Sequence, residues 1–231
     1  MDHLKIKNIG IKMKIVSVIL ARGGSKEIPN KNIIDLCGKP LISYAISESL
    51  NSVSSETWVS TDCPKIRDVS ELFGAKVLKR PTELAGDYSK SEESLIHFVE
   101  NVSCDVVVFI QPTSPLISSK YINEGIDMIG SNDSVFSAYK EHWTPRWTKD
   151  ISPDGWDINN RPMRQEVDYR YVENGAFYIT TSHRLSRSNL RYSGAIGVVE
   201  MPRYDSIQVD TYDDLFMVES LMKIRNIKIG N

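Results

Sequence analysis

Continuous apolar runs rich in β-branched residues recur along this chain, each followed by a stretch with helical spacing, and that alternation limits the fold more than any other feature. "KIVSVIL" (14–20) and "DVVVFIQPTSPL" (105–116) have no polar alternation across their apolar cores. Strands of that kind are covered on both faces, as in a parallel sheet flanked by helices. Further strands are expected at 57–62, 76–80, 134–140, 175–181, 196–201 and 206–210. Helices are expected at 40–50, with Pro40 in its first turn, at 64–74, closed by Gly74, and at 91–102, with Ser91 as its cap. Two more are expected at 118–130 and 211–224. Strand and helix in turn predict βαβ units and an α/β fold built on a mostly parallel sheet.

The rhythm breaks at 141–172, where "WTPRW", several Pro and Gly, and "RPMRQEVDYRYVENG" read as an inserted excursion. Met13 opens the first strand, so residues 1–12 are expected to be an N-terminal extension and 13–231 one domain. A chain of 231 residues is long enough to bury a sizeable core as a single unit. A formal net charge of −2 gives no basis for general nucleic-acid binding, so any anion site must come from a local cluster of cations. The cysteines, Cys37, Cys63 and Cys104, are widely spaced without a CxxC pair. They suit a reducing cytoplasm and argue against a disulfide framework or zinc site. No apolar run approaches the ~20 residues that a membrane helix needs.

The chemistry concentrates in "ILARGGSKEIPNKNI" (19–33), which leaves the carboxyl end of the first strand. In open α/β sheets, ligands bind in that position. Gly23, Gly24 and Ser25 let backbone N–H groups approach an oxyanion, and Arg22, Lys26 and Lys31 supply positive charge. Neither GxGxxG nor GxxxxGK[ST] is present, and a loop with Pro29 inside it suits a nucleoside triphosphate lying along extended backbone.

This loop closely resembles the signature of the CMP-sialic acid synthetases (N-acylneuraminate cytidylyltransferases), A-R-G-G-S-K-G-I-P-x-K-N. The resemblance continues through "VSTD" (59–62), "KRPTELAGDYSKSEESL" (79–95), "QPTSPL" (111–116), "RPMRQ…YVENGAFYI" (161–179) and "QVDT" (208–211). It implies a Rossmann-like nucleotidyltransferase three-layer sandwich with a small dimerisation excursion. The implied reaction is attack by the anomeric hydroxyl of a nine-carbon 2-keto sugar acid on the α-phosphate of CTP, releasing pyrophosphate. Arg22 and Lys26 are then expected to face the triphosphate, with Lys31 beside them. By the same resemblance Asn32, Arg80 and Ser91 belong to the cytidine pocket, and the backbone of Leu20 and Ala21 reads the base edge. Gln111, where a strand meets the crevice, has an amide suited to sugar hydroxyls. Arg164 and Gln165 match the acceptor-binding segment, which in the family reaches into the neighbouring subunit of a homodimer. Tyr178 is compatible with either the sugar pocket or the core.

Two positions depart from the family pattern. The usual D-x-D-T at the metal site is Gln208-Val209-Asp210-Thr211, which leaves Asp210 as the sole expected ligand for Mg²⁺. Asp213 and Asp214 are expected to serve the start of the last helix instead. Glu27 replaces a glycine. A carboxylate ~4 Å from a phosphate would cost about 4 kcal/mol at an effective dielectric near ~20, so Glu27 is expected to face away and to pair with Lys26 or Lys31. None of the four histidines is expected to be catalytic. A Kdo-type cytidylyltransferase and a catalytically weak sugar-nucleotide binding protein remain as alternatives.

Overall fold

The computed structural model describes residues 13–229, so the expected extension at 1–12 lies outside the described residues. Seven strands form one sheet: β1 (Ile15–Leu20), β2 (Glu56–Thr61), β3 (Lys76–Lys79), β4 (Val106–Ile110), β5 (Ser134–Glu141), β6 (Arg170–Thr181) and β7 (Ile196–Glu200). Their spatial order is β7-β5-β6-β4-β1-β2-β3. All neighbouring pairs are parallel except those of β6, which runs antiparallel to both β4 and β5. The chain therefore moves outward from β1 through β2 to β3, then returns to the other side of β1 with β4. That reversal opens a crevice at the carboxyl ends of β1 and β4.

The continuous apolar runs are explained by two cores, one on each face of the sheet. Val16 and Val18 of β1 and Val107 and Phe109 of β4 join Leu95, Phe98 and Leu185 on one side. Ile19, Val106, Val108 and Ile110 join Ile42, Ile46, Ile66, Ile122 and Ile126 on the other. The first side is covered by α3 (Ser91–Asn101) and α5 (Ser182–Ser188), the second by α1 (Leu41–Leu50), α2 (Pro64–Leu72) and α4 (Ser119–Asp127). This is the expected three-layer sandwich. A third cluster, with Ile28, Leu36, Leu41, Leu116, Val209 and Val218, seats α6 (Tyr212–Ile229) beside the crevice.

Several local expectations hold. Gly74 takes φ +89° just past α2 and donates to the Glu71 carbonyl, a left-handed stop that favours glycine. Thr211 and Asp214 cap α6 reciprocally: Asp214 N–H donates to Thr211 Oγ1 at 3.2 Å, and Thr211 N–H donates to Asp214 Oδ2 at 2.8 Å. The three cysteines are half-buried free thiols.

Other expectations are corrected. Residues 206–210 do not form a strand. They lie beyond the sheet, held by a Val209 N–H donated to the Thr113 carbonyl at 2.7 Å, with Val209 fully buried. Ser91 opens α3 without capping it; the Lys90 N–H donates to Glu93 instead, at 3.1 Å. Pro40 precedes the first residue of α1. The excursion is narrower than 141–172, because Arg170, Tyr171 and Val172 pair with Glu141, Lys140 and Tyr139. The arm beyond the sheet is 142–169, with a short ladder of Arg146–Trp147 against Pro153–Asp154 and a single 3-10 turn at Arg164–Glu166. No described helix is long and apolar enough to cross a membrane.

Candidate active site

The loop after β1 is anchored at its middle and tied at its ends. Ile28, its one large apolar residue, is fully buried in the cluster under α6. Asn32 is buried and donates from Nδ2 to the Arg22 carbonyl at 2.9 Å, closing the loop on itself. Asn30 takes the left-handed φ of 55° that lets the 3-10 turn at Lys31–Ile33 begin. Gly23 is required by close approach: a Cβ there would lie 2.9 Å from Cys63 Cβ. Its N–H donates to Asp62 Oδ1 at 2.9 Å, so Gly23 is bound to the end of β2. Gly24 has no neighbour within 4 Å of a would-be Cβ and is exposed.

Around this loop lies an open cleft of about 510 Å³. Leu20, Arg22, Ser25, Lys26, Lys31, Asn32, Arg80, Ser91 and Gln111, all expected at the site, line it together. β1 delivers Arg22, β3 delivers Arg80, the start of α3 delivers Ser91, and β4 delivers Gln111. Ala21, Gly23 and Gly24 are not among the lining residues. Ala21 is fully buried and its N–H donates to the Ser60 carbonyl at 3.0 Å, which removes that donor from base recognition.

Three cations that line the cleft, Arg22, Lys26 and Lys31, already have carboxylate partners. Arg22 Nη1 donates to the Gly86 carbonyl at 2.9 Å and to Asp87 Oδ1 at 3.0 Å, and Lys26 Nζ lies 2.6 Å from Asp87 Oδ2. Lys26 first, and Arg22 with it, hold the Asp87 carboxyl below its usual range. Lys31 Nζ meets Asp210 Oδ1 at 2.8 Å. The expected pairing of Glu27 with Lys26 or Lys31 is therefore not made; Asp87 and Asp210 take both cations. Glu27 is exposed but is among the residues that line the cleft, so the expectation that it faces away from the site is not borne out. Asp87 was missed in the sequence because its partners lie more than sixty positions away.

Arg80 differs from these paired cations. Its residue is 5% exposed, its Nε donates to Ser60 Oγ at 3.2 Å and its Nη2 to the Ser60 carbonyl at 2.6 Å. Burial, opposed by the Asp62 carboxylate and reinforced by Arg22, lowers its pKa to about 10. Among the described residues it has no carboxylate within ion-pair distance. A buried guanidinium in that state is stabilised by a ligand that brings oxygen acceptors.

Gln208 stands behind Gln111, with Nε2 donating to Gln111 Oε1 at 2.8 Å. Tyr178 is a core residue: it is 3% exposed and stacks on Phe109 with ring centroids 5.6 Å apart. Its hydroxyl donates to Glu173, and burial first, then that carboxylate, push its pKa well up. Arg164 and Gln165 are not brought to the cleft; with Trp143, Arg161 and Met163 they line a separate hollow on the arm. No histidine lines the cleft.

No group of three His, Cys, Asp or Glu side chains converges as a metal site among the described residues. Asp210 is an exposed carboxylate beside Lys31, and Gln208 brings no charge. The donor set fits Mg²⁺ only as a one-carboxylate site completed by substrate phosphates and water, which is within the ion's habits.

The comparisons with known proteins agree with this geometry. The model of the family described as Cytidylyltransferase matches residues 16–193. N-acylneuraminate cytidylyltransferase B of Danio rerio is 38% identical over 204 residues, 84% of this chain and 48% of that protein. The pseudaminic acid cytidylyltransferase of Campylobacter jejuni (serotype O:2) is 31% identical over 228 residues, 93% of this chain and 98% of its own. This chain thus spans about half the length of the fish relative. A solved CMP:2-keto-3-deoxy-manno-octonic acid synthetase complexed with CTP superposes with a TM-score of 0.70 at 20% identity, covering 92% of this chain and 99% of that one, which shows the shared fold. With the crevice, the cation-bearing loop and these matches in hand, the chain belongs to the cytidylyltransferase family.

Proposed function

We propose that this chain transfers CMP from CTP to the anomeric hydroxyl of a nonulosonic, sialic-type 2-keto sugar acid, giving a CMP-sugar and pyrophosphate. The observation that carries this reading is the convergence of Arg22, Lys26, Lys31 and the buried Arg80 with Gln111 in one cleft at the strand carboxyl ends. The triphosphate replaces Asp87 as the partner of Arg22 and Lys26. These two side chains then neutralise the charge that gathers on pyrophosphate as its bond to the α-phosphorus breaks. A preorganised donor of this kind is typically worth ~3–4 kcal/mol in the transition state. Arg80, Asn32 and Ser91 bound the cytidine end, where the unpaired guanidinium offers donors to a carbonyl-type oxygen.

The sugar acid approaches Gln111, and its anomeric oxygen forms the new bond to the α-phosphorus as the hydroxyl proton passes to water and pyrophosphate departs. Bound at Asp210, Mg²⁺ would supply charge neutralisation at the phosphates and lower the pKa of that hydroxyl. Lys31, which lines the cleft, holds Asp210 beside it through their 2.8 Å ion pair. Arg164 and Gln165 act on the acceptor in a homodimer, in which the arm of one copy reaches the cleft of the other. The arm's exposure supports this: Ile151 is 77%, Ile158 60% and Met163 55% accessible. The free thiols and the lack of a described membrane-crossing helix agree with a cytoplasmic setting.

The test is pyrophosphate release from CTP with a panel of 2-keto sugar acids, with and without a chelator of divalent cations. N-acetylneuraminate, its deaminated relative, legionaminate or pseudaminate is expected to support release, and Kdo to support much less. No release with any acid would leave a binding protein as the better reading. Near-normal Mg²⁺-dependent turnover by Asp210→Ala would remove Asp210 from the metal site.

A further inference from the structure

Gln111 is held from behind by more than its strand. Its N–H donates to the Ala176 carbonyl at 3.0 Å. Its Oε1 accepts from Gln208 Nε2 at 2.8 Å and from Thr113 Oγ1 at 3.5 Å. Gln208 Nε2 also reaches Ser114 Oγ at 3.4 Å, and Ser114 is buried. The wall behind this pair is glycine by necessity. Gly175 has φ +68°, and a Cβ there would collide with Gln208 Nε2 and lie 3.3 Å from Gln111 Oε1. Val209, next to Gln208, is fully buried and hydrogen-bonded to Thr113, so Gln208 has little room to shift.

A primary amide has an accepting end and a donating end. With the oxygen of Gln111 engaged by Gln208 and Thr113, the end left for the cleft is the NH2 group. We propose that Gln208 is a positioning residue that fixes Gln111 as a hydrogen-bond donor, so that the sugar acid is recognised at this point through an electron-rich oxygen of its carboxylate or hydroxyls. The inference rests on reading the cleft as the cytidylyltransferase site. It also assigns a use to the residue that departs from the family's aspartate. A carboxylate at position 208 would accept from the Gln111 NH2, turn the amide over and present its oxygen to the substrate. Gln208 thereby sets the polarity of recognition as well as its place.

The experiment compares wild type, Gln208→Glu and Gln208→Met in steady-state kinetics with CTP and the best sugar acid, alongside melting temperatures. Gln208→Glu is expected to raise KM for the acid about tenfold while KM for CTP stays within about twofold, the size of one polar contact reversed. Gln208→Met, which frees Gln111 without reversing it, is expected to raise the acid KM about threefold. An unchanged acid KM, equal rises in both KM values, or acid KM rises that merely follow a falling melting temperature in both variants would overturn the proposal. Absence of pyrophosphate release by wild type with every acid would sink it together with the functional reading, whereas an active wild type with insensitive variants sinks this inference alone.

Discussion

The cleft and the arm face opposite physical problems. At the cleft, Arg22 and Lys26 share Asp87, and Lys31 holds Asp210, so these three cations already have counter-charges. On the arm, Trp143 and Trp147 both meet Trp156 edge-on and Arg161 lies over two of these rings, yet Ile151, Ile158 and Met163 remain in water. Exposed ion pairs are worth little, about 0–1 kcal/mol each, so a triphosphate can replace Asp87 at small cost. Apolar area has no comparable substitute within the chain; only another surface removes it from water. On the proposed reading, a triphosphate takes the place of Asp87 in the cleft, and a second copy of the chain covers the arm.

The largest effect should come from breaking the cleft. Arg22→Ala is expected to lower kcat about 100-fold or more through loss of one preorganised donor, measured by pyrophosphate release, with little change in oligomeric state. Breaking the arm should invert that pattern. Trp147→Glu, at a residue 48% exposed, is expected to shift sedimentation from dimer to monomer and to reduce kcat/KM for the sugar acid about tenfold, while CTP binding persists. A Trp147→Glu chain that stays dimeric and fully active would remove the arm from the interface. Asp87→Asn sharpens the cleft side of the comparison: without its carboxylate, CTP is expected to bind about three- to fivefold more tightly by calorimetry, the gain falling as salt is raised.

The smallest effect lies far from both regions. Glu56 accepts from Trp58 Nε1 at 2.7 Å and pairs with Lys14 and Lys76, and these contacts, led by Trp58, lower its pKa to about 2. Its folded pKa is below its unfolded one, so its contribution is full above the unfolded value of 4.5 and is lost as pH falls toward about 2. Glu56→Gln is expected to flatten acid unfolding within that window and to leave the melting temperature of the acid state almost unchanged. Equal acid sensitivity of variant and wild type would show that the contacts persist in the unfolded chain.

The strands at β1 and β4 and the helices between them were legible because their signals are local: a both-faces-buried run, a Gly74 stop, a Thr211–Asp214 cap. β6 was harder, since three of its first four residues, Arg170, Tyr171 and Glu173, are exposed and gain strand character only from the ladder with β5. α5 was missed because Leu185 is its one buried residue, which leaves no periodicity to read. Residues 206–210 have the composition of a strand, but they lie past the edge of the sheet, where one hydrogen bond to Thr113 replaces a ladder. Tyr178 was equally compatible with pocket and core until the packing against Phe109 decided it.

By itself the sequence determined the parallel α/β framework, the family, and the loop where cations gather, because each depends on residues within about a dozen positions of one another. Tertiary structure alone decided which carboxylate neutralises which cation and which end of the Gln111 amide is engaged by Gln208. Those outcomes depend on pairs such as Arg22 with Asp87, Lys31 with Asp210 and Gln111 with Gln208, joined by strand crossovers rather than by neighbouring residues. Hydrogen bonds and ion pairs act over a few ångströms of space, and the sequence specifies such distances only after the sheet has closed.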